Sequence, residues 1–220
     1  VVSDSDLTIY TGGINPMAWG GIGGSGVVIG LGSARSIASH HTYGVIGRKD
    51  ACHADPATNT FRKHKEAVME RIEEYLGRKI LYLDGVLNGA RQWSHFFAGH
   101  YTEIQERSWQ ASDRDRVHEV KQADVVVAGL PKWILYDTTR NPLVCLNAAA
   151  AILRVCIGKP LLREGGVIIL VAECDGQIDT DALPSYPEVI DLYGETGNAR
   201  RLEQKYLEEF LYYRPEYLSC

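Results

Sequence analysis

The sequence predicts an α/β fold in two lobes, the second a Rossmann-like βαβ sheet, with a cofactor and substrate cleft between them. Three observations lead there. The chain has 220 residues, 45% of them apolar, which is enough to bury a core in one large domain or two small ones. Two β-branched runs, Ala123-Asp124-Val125-Val126-Val127-Ala128-Gly129 and Val167-Ile168-Ile169-Leu170-Val171-Ala172-Glu173, flank an alanine-rich helical stretch at 146–157. That order is a βαβ unit, whose crossover should be right-handed. Finally, nine of the 22 glycines crowd between Gly12 and Gly32, too many for a helix and in too apolar a setting for a flexible linker.

The elements follow in order. A short strand at 7–11 runs into Gly12-Gly13. The glycine segment from Asn15 reads as a packed loop feeding a strand at 27–31, and Ser33 then caps a brief helix ending at His40-His41. Residues 47–62 are polar and loop-like. From His64 to Leu76 the residues Val68, Ile72 and Tyr75/Leu76 make one apolar helical face, and Gly77 supplies the stop. Residues 79–87 (KILYLDGVL) read as a buried strand, 91–101 continue that lobe, and 102–120 form a mostly polar helix. The β-branched composition of 123–129 and 167–173 predicts parallel strands buried on both faces, joined through the helix at 146–157 and a turn at 163–166. An amphipathic helix at 200–213 closes the chain. The change of character near 115–122 places the lobes at 1–118 and 119–220.

Charge and composition exclude several classes. Lys+Arg number 23 against 28 Asp+Glu, a net charge of −5, and the sequence pI is near 5.8. Without a basic excess, neither nucleic acid nor an anionic membrane surface is the expected partner. No apolar run approaches the ~20 residues of a membrane span, and Val1-Val2-Ser3-Asp4 has no secretory signature. The chain does not begin with Met, so upstream sequence is expected. The five cysteines (52, 145, 156, 174, 220) are scattered and form no C-x-x-C, which predicts reduced thiols in a cytoplasmic protein.

Several constellations could carry chemistry. Clustered glycines let backbone N–H groups approach an anion, but no Lys follows Gly24 or Gly26 as a Walker loop requires. Gly21-Ile22-Gly23-Gly24-Ser25-Gly26 has the spacing of a dinucleotide fingerprint without a helix read after it. The segment is therefore either a cofactor loop or a set of tight turns beneath a sheet. All seven histidines lie before residue 119. His40 and His41 point about 100° apart on a helix, so they will not chelate one metal together, although one of them could be a lone ligand or an acid/base. Lys132 lies just past the carboxyl end of a predicted strand, where open α/β sheets hold ligands and where an ammonium can hold a carboxylate. Glu173, Asp175, Gln177 and Asp179 sit on the same edge, to contact the same ligand or to cap the loop.

The ordered blocks GGINPMAWGGIGGSGVVIG, SIASHH, VLN, ADVVVAGLPK and EGGVIILVAEC resemble the nickel-dependent lactate racemase family, in its latter part. That resemblance implies a bilobed fold whose cleft holds a nickel-pincer pyridinium mononucleotide. It further implies racemisation or epimerisation of a small 2-hydroxy acid, a base taking the hydroxyl proton while hydride passes to the cofactor. Aligned without a gap, the family's nickel ligand falls on His41, with Gly30 and Ile37 also matching. Lys132 matches its substrate-binding lysine, and Gly21, Gly23, Gly24 and Ser25 match the cofactor loop. Two positions depart from the pattern. The acid/base histidine falls on Asn15, which can hydrogen-bond substrate but not exchange a proton near neutrality. The lysine that tethers the cofactor falls on Ser25, so the nucleotide would be held non-covalently. His95-Phe96-Phe97-Ala98-Gly99 copies the catalytic His-x-x-Ala-Gly pattern only superficially, because it follows the VLN block. These departures raise the alternative of a homologue that keeps the fold as a small-molecule or cofactor-binding module. A generic nucleotide-binding domain is a third reading.

Overall fold

The computed structural model describes residues 2–17, 21–22, 26–51, 57–134, 137–156, 159–181 and 183–208. It is a mixed α/β chain that divides into two compact units. The first comprises Val1–Gly32, Arg48–Val120 and Val155–Ile157; the second comprises Ser33–Gly47, Lys121–Arg154 and Gly158–Cys220.

The first unit opens with β1 (Ile9–Ile14), the two-residue strands β2 (Pro16–Met17) and β3 (Gly21–Ile22), and α1 (Gly26–Gly30). Next come α2 (Ala34–His40) and α3 (Tyr43–Ile46), which group with the second unit. The first unit resumes with a 3-10 turn at Lys49–Ala51, then α4 (Thr60–Leu76), β4 (Leu81–Leu87), β5 (Trp93–Gly99) and α5 (Tyr101–Arg116). Its sheet has the order β1-β4-β5, with β1 parallel and β5 antiparallel to the central β4.

Period-two alternation in β4 turns Tyr82, Asp84 and Val86 inward. Tyr82 packs with Val27, Val28, Met69, Tyr101 and Ile104, and Val86 packs with Ile14 and Ala111. This explains one element read with the wrong type. Val27-Val28-Ile29 has strand propensity, yet the segment is α1, because Val27 and Val28 fill the core beside α4. Burial overrides local preference there. Helix α4 begins four residues earlier than its apolar face suggests. Asn59, buried and extended (φ −72°), accepts a hydrogen bond from the Arg62 N–H and caps it. Gly77 ends it in the left-handed region at φ 65°.

In the second unit, β6 (Ala123–Gly129) is followed by the short hairpin of β7 (Trp133–Ile134) and β8 (Asp137–Thr138), then α6 (Pro142–Arg154) and β9 (Leu162–Val171). Strands β6 and β9 pair in parallel, as a βαβ unit requires. The expected turn at 163–166 is instead an irregular stretch of β9, with Gly165 at φ 77° and the register shifting between Ala123 and Val125. The expectation that both strands are buried on both faces is overturned. Val125, Val127, Val167, Ile169 and Val171 are exposed, Val127 by 65%. β-Branched composition reports strand propensity, not the number of layers that cover a sheet. Helices α7 (Tyr186–Thr196) and α8 (Ala199–Glu208) complete the unit, Leu192 packing with Val189 and Leu202. No helix among the described residues is long and apolar enough to cross a membrane.

Candidate functional site

Asn15 lies immediately beyond β1 and before the β2–β3 ribbon, in which Gly21 pairs with Met17. Its Oδ1 accepts a hydrogen bond from Arg116 Nη1 at 3.3 Å, and the same nitrogen donates to the Leu87 carbonyl at 3.2 Å. The guanidinium at the end of α5 thus fixes the amide beside the carboxyl ends of β1 and β4. With Oδ1 so engaged, the N–H groups are the remaining donors of the Asn15 amide. Gly23, Gly24 and Ser25 lie outside the described residues.

His41 follows α2. Its Nδ1 donates to the Ile37 carbonyl at 2.9 Å, and its backbone N–H donates to the same oxygen at 3.1 Å. A carbonyl only accepts, so in this contact Nδ1 carries the hydrogen and Nε2 is the ring's second nitrogen. A hydrogen bond from one ring nitrogen to a backbone carbonyl is the arrangement that orients histidines in metal sites generally. The His41 side chain is exposed, whereas His40 is buried at 3% and donates from Nδ1 to Ser36 O at 2.7 Å. The two rings stand 4.7 Å apart, tilted by 53°. Of the adjacent pair, His41 is the one turned outward.

Lys132 is exposed beyond the carboxyl end of β6, and its own carbonyl accepts from Thr139 N at 3.0 Å, which fixes the backbone against the β7–β8 hairpin. The acidic residues after β9 have structural partners. Arg140 Nε donates to Asp175 Oδ2 at 2.9 Å and lies 3.6 Å from Glu173 Oε2. Asp175 Oδ1 also accepts from the Gln177 N–H, and Asp179 Oδ1 from the Asp181 N–H. They brace the loop, as their capping role requires. His41 and Lys132 belong to the second unit, Asn15 and Gly21 to the first.

No protein-family model matches the chain, and no curated protein is similar to it in sequence. Among solved structures it is similar in fold to the lactate racemase apoprotein from Thermoanaerobacterium thermosaccharolyticum, with a TM-score of 0.63 at 18% identity. The likeness covers 99% of this chain and 47% of that one, so the chain spans about half the length of its structural neighbour. The fold is lactate racemase-like.

Whether such a fold could hold a nickel-pincer nucleotide here is tested by its donor set. Among the described residues no group of three or more His, Cys, Asp or Glu could hold a metal ion. A metal that arrives with ligands on its cofactor would need fewer donors from the protein, and an imidazole is a donor suited to nickel. His41, with its Nδ1 engaged by Ile37 O, fits that role.

Sequence reasoning missed a second polar site within the first unit. A cavity of about 40 Å³ is lined by Arg62 and Lys65 of α4, Asp84 of β4, and Gln105 and Trp109 of α5, among others. Asp84 and Lys65 are each only 6% exposed. Burial pushes the Asp84 carboxyl up to about 6 against the opposing pull of Arg62. Burial, and then the neighbouring Arg62 charge, push the Lys65 ammonium down to about 8, with Glu66 opposing. The signals were present in the sequence. Asp84 interrupts an otherwise apolar strand at an inward position, and Lys65 falls midway between Phe61 and Met69 on the buried helical face.

Proposed function

We propose that this chain forms part of a lactate racemase-like isomerase that racemises or epimerises a small 2-hydroxy acid with a non-covalently held nickel-pincer pyridinium mononucleotide. The observation that carries this reading is His41, an exposed imidazole with Nδ1 committed to Ile37 O in a lactate racemase-like fold. When bound, the cofactor would accept hydride from the substrate carbon and return it to either face.

The chain's own residues do the rest. Lys132 would hold the substrate carboxylate by a charge-assisted hydrogen bond. Asn15, its Oδ1 occupied by Arg116, would donate from its amide N–H to a substrate oxygen. Backbone N–H groups of Gly21, Gly23, Gly24 and Ser25 would hold the nucleotide phosphate. Asn15 does not take the hydroxyl proton, so another base must accept it and return it as the centre inverts.

A second reading, a homologue that binds the cofactor or a small molecule without turning it over, is favoured by the engagement of Asn15 with Arg116 and by Ser25 in place of a tethering lysine. One experiment separates the two. The full-length protein, co-produced with enzymes that make the cofactor, is incubated with single enantiomers of a panel of 2-hydroxy acids and followed by chiral chromatography. The isomerase reading expects formation of the opposite configuration, lost in Lys132→Ala. Inactivity on the whole panel, persisting in an Asn15→His/Ser25→Lys double variant, leaves the binding module as the correct reading.

A further inference from the structure

The cavity in the first unit contains donors and acceptors that the fold does not satisfy. Gln105 Oε1 and Trp109 Nε1 are buried without a hydrogen-bond partner, and both residues line it. The Lys65 ammonium and the Asp84 carboxyl line it too. Neither makes a hydrogen bond with a described residue, and Lys65 Nζ lies over the face of Phe61, 4.9 Å from its centre. The other two charges are paired with each other, Arg62 Nε donating to Glu66 Oε1 at 2.9 Å. Arg62 also lies 5.1 Å over the Trp109 ring, which holds the indole in place.

Buried polar atoms are ordinarily satisfied, and a cluster of unsatisfied ones around a cavity points to a ligand. The composition of this cluster specifies the ligand's chemistry. An ammonium and an indole N–H call for acceptor oxygens carrying negative charge, the Gln105 carbonyl calls for a donor, and the Asp84 carboxyl in its protonated form donates to the same oxyanion. The volume gives room for roughly three water molecules, which suits an occupant of about four or five heavy atoms. We propose that this cavity binds a compact oxyanion that also carries an O–H, the chemistry shared by bicarbonate and glycolate. Lys65 and Trp109 donate to its charged oxygens, and Gln105 Oε1 accepts from its hydroxyl. This site is independent of Lys132 and of the reaction proposed above.

The test follows the Trp109 indole N–H resonance of the full-length protein by proton–nitrogen correlation NMR, assigned by its loss in Trp109→Phe. Bicarbonate and glycolate are titrated separately to identify the source, with acetate as the oxyanion lacking a hydroxyl. A saturable shift with bicarbonate or glycolate is expected, together with binding at least tenfold weaker for acetate. Lys65→Met should weaken binding at least tenfold, and Lys132→Ala should leave the shift unchanged, which separates this site from the proposed substrate clamp. If Lys65→Met does not fold, calorimetric titration of Trp109→Phe, which loses only the indole donor and part of the ring, replaces it with the same expected weakening. No saturable shift with any of the three, equal binding of acetate, or loss of the shift in Lys132→Ala would overturn the proposal.

Discussion

Two buried carboxylates in the first unit behave in opposite ways, and the difference lies in their hydrogen bonds. Burial alone would raise the pKa of Glu73, but the N–H of Ile80 at 2.9 Å, Lys79 Nζ at 2.9 Å and His100 Nε2 at 2.9 Å outweigh it and hold the carboxyl below its usual range. Its ionised form therefore contributes stability above the unfolded-state value of 4.5, lost as pH falls through the lower folded-state value. Glu73→Gln should destabilise by about 2–3 kcal/mol at pH 7, with the gap to the natural protein closing in acid, as urea unfolding at pH 7 and pH 3 would measure. Asp84 lacks such partners, and its folded-state pKa near 6 exceeds the usual 3.8. Between those values the folded state binds more protons than the unfolded one, so stability falls as pH rises. Asp84→Asn should raise stability by roughly 1–3 kcal/mol at pH 8 and gain little at pH 4. Equal effects of Asp84→Asn at the two pH values would refute the assignment of a buried, unpaired carboxyl.

At the scale of elements, the parallel pair β6–β9 depends on close backbone approach. A Cβ at Gly166 would lie 2.8 Å from the Asp124 carbonyl oxygen, a backbone atom that cannot swing aside. Gly166→Ala should thus destabilise the second unit by about 2 kcal/mol or more, read by thermal unfolding. A loss below about 0.5 kcal/mol would show that the strands separate freely. The same pair shows what local sequence can convey. The run at 123–129 is legible to the residue, because β-branched side chains and a closing glycine are local signals. The exposure of Val125 and Val127 is not, since it depends on how many layers cover the sheet. Helix α7 carried signals that went unread, a proline in its first turn and Gly197 in the left-handed region at φ 59°. Helix α1 carried only the glycine spacing of Gly21, Gly23 and Gly26, and its packing against Met69, Ile80 and Tyr82 overrides the strand propensity of Val27-Val28-Ile29.

For the whole molecule, the α/β class and the parallel βαβ pairing were legible, and the fold match extends over 99% of the chain. The candidate site was legible where its geometry is local. His41 and its carbonyl partner Ile37 sit four residues apart, a distance the helical period encodes. Asp84 and Lys65 are each legible as polar residues at inward positions, but their meeting in one cavity was hidden, because it joins a strand and two helices distant in sequence. Arg116 reaching Asn15 across 101 positions was hidden for the same reason. The role proposed for His41 is to supply the protein's ligand to a nickel held otherwise by its cofactor. It is tested most directly by the nickel content of full-length protein co-produced with the cofactor-making enzymes and measured by elemental mass spectrometry. Stoichiometric nickel is expected in the natural chain, lost in His41→Ala and kept in His40→Ala. Nickel absent from the natural chain, or unchanged in His41→Ala, would contradict the account.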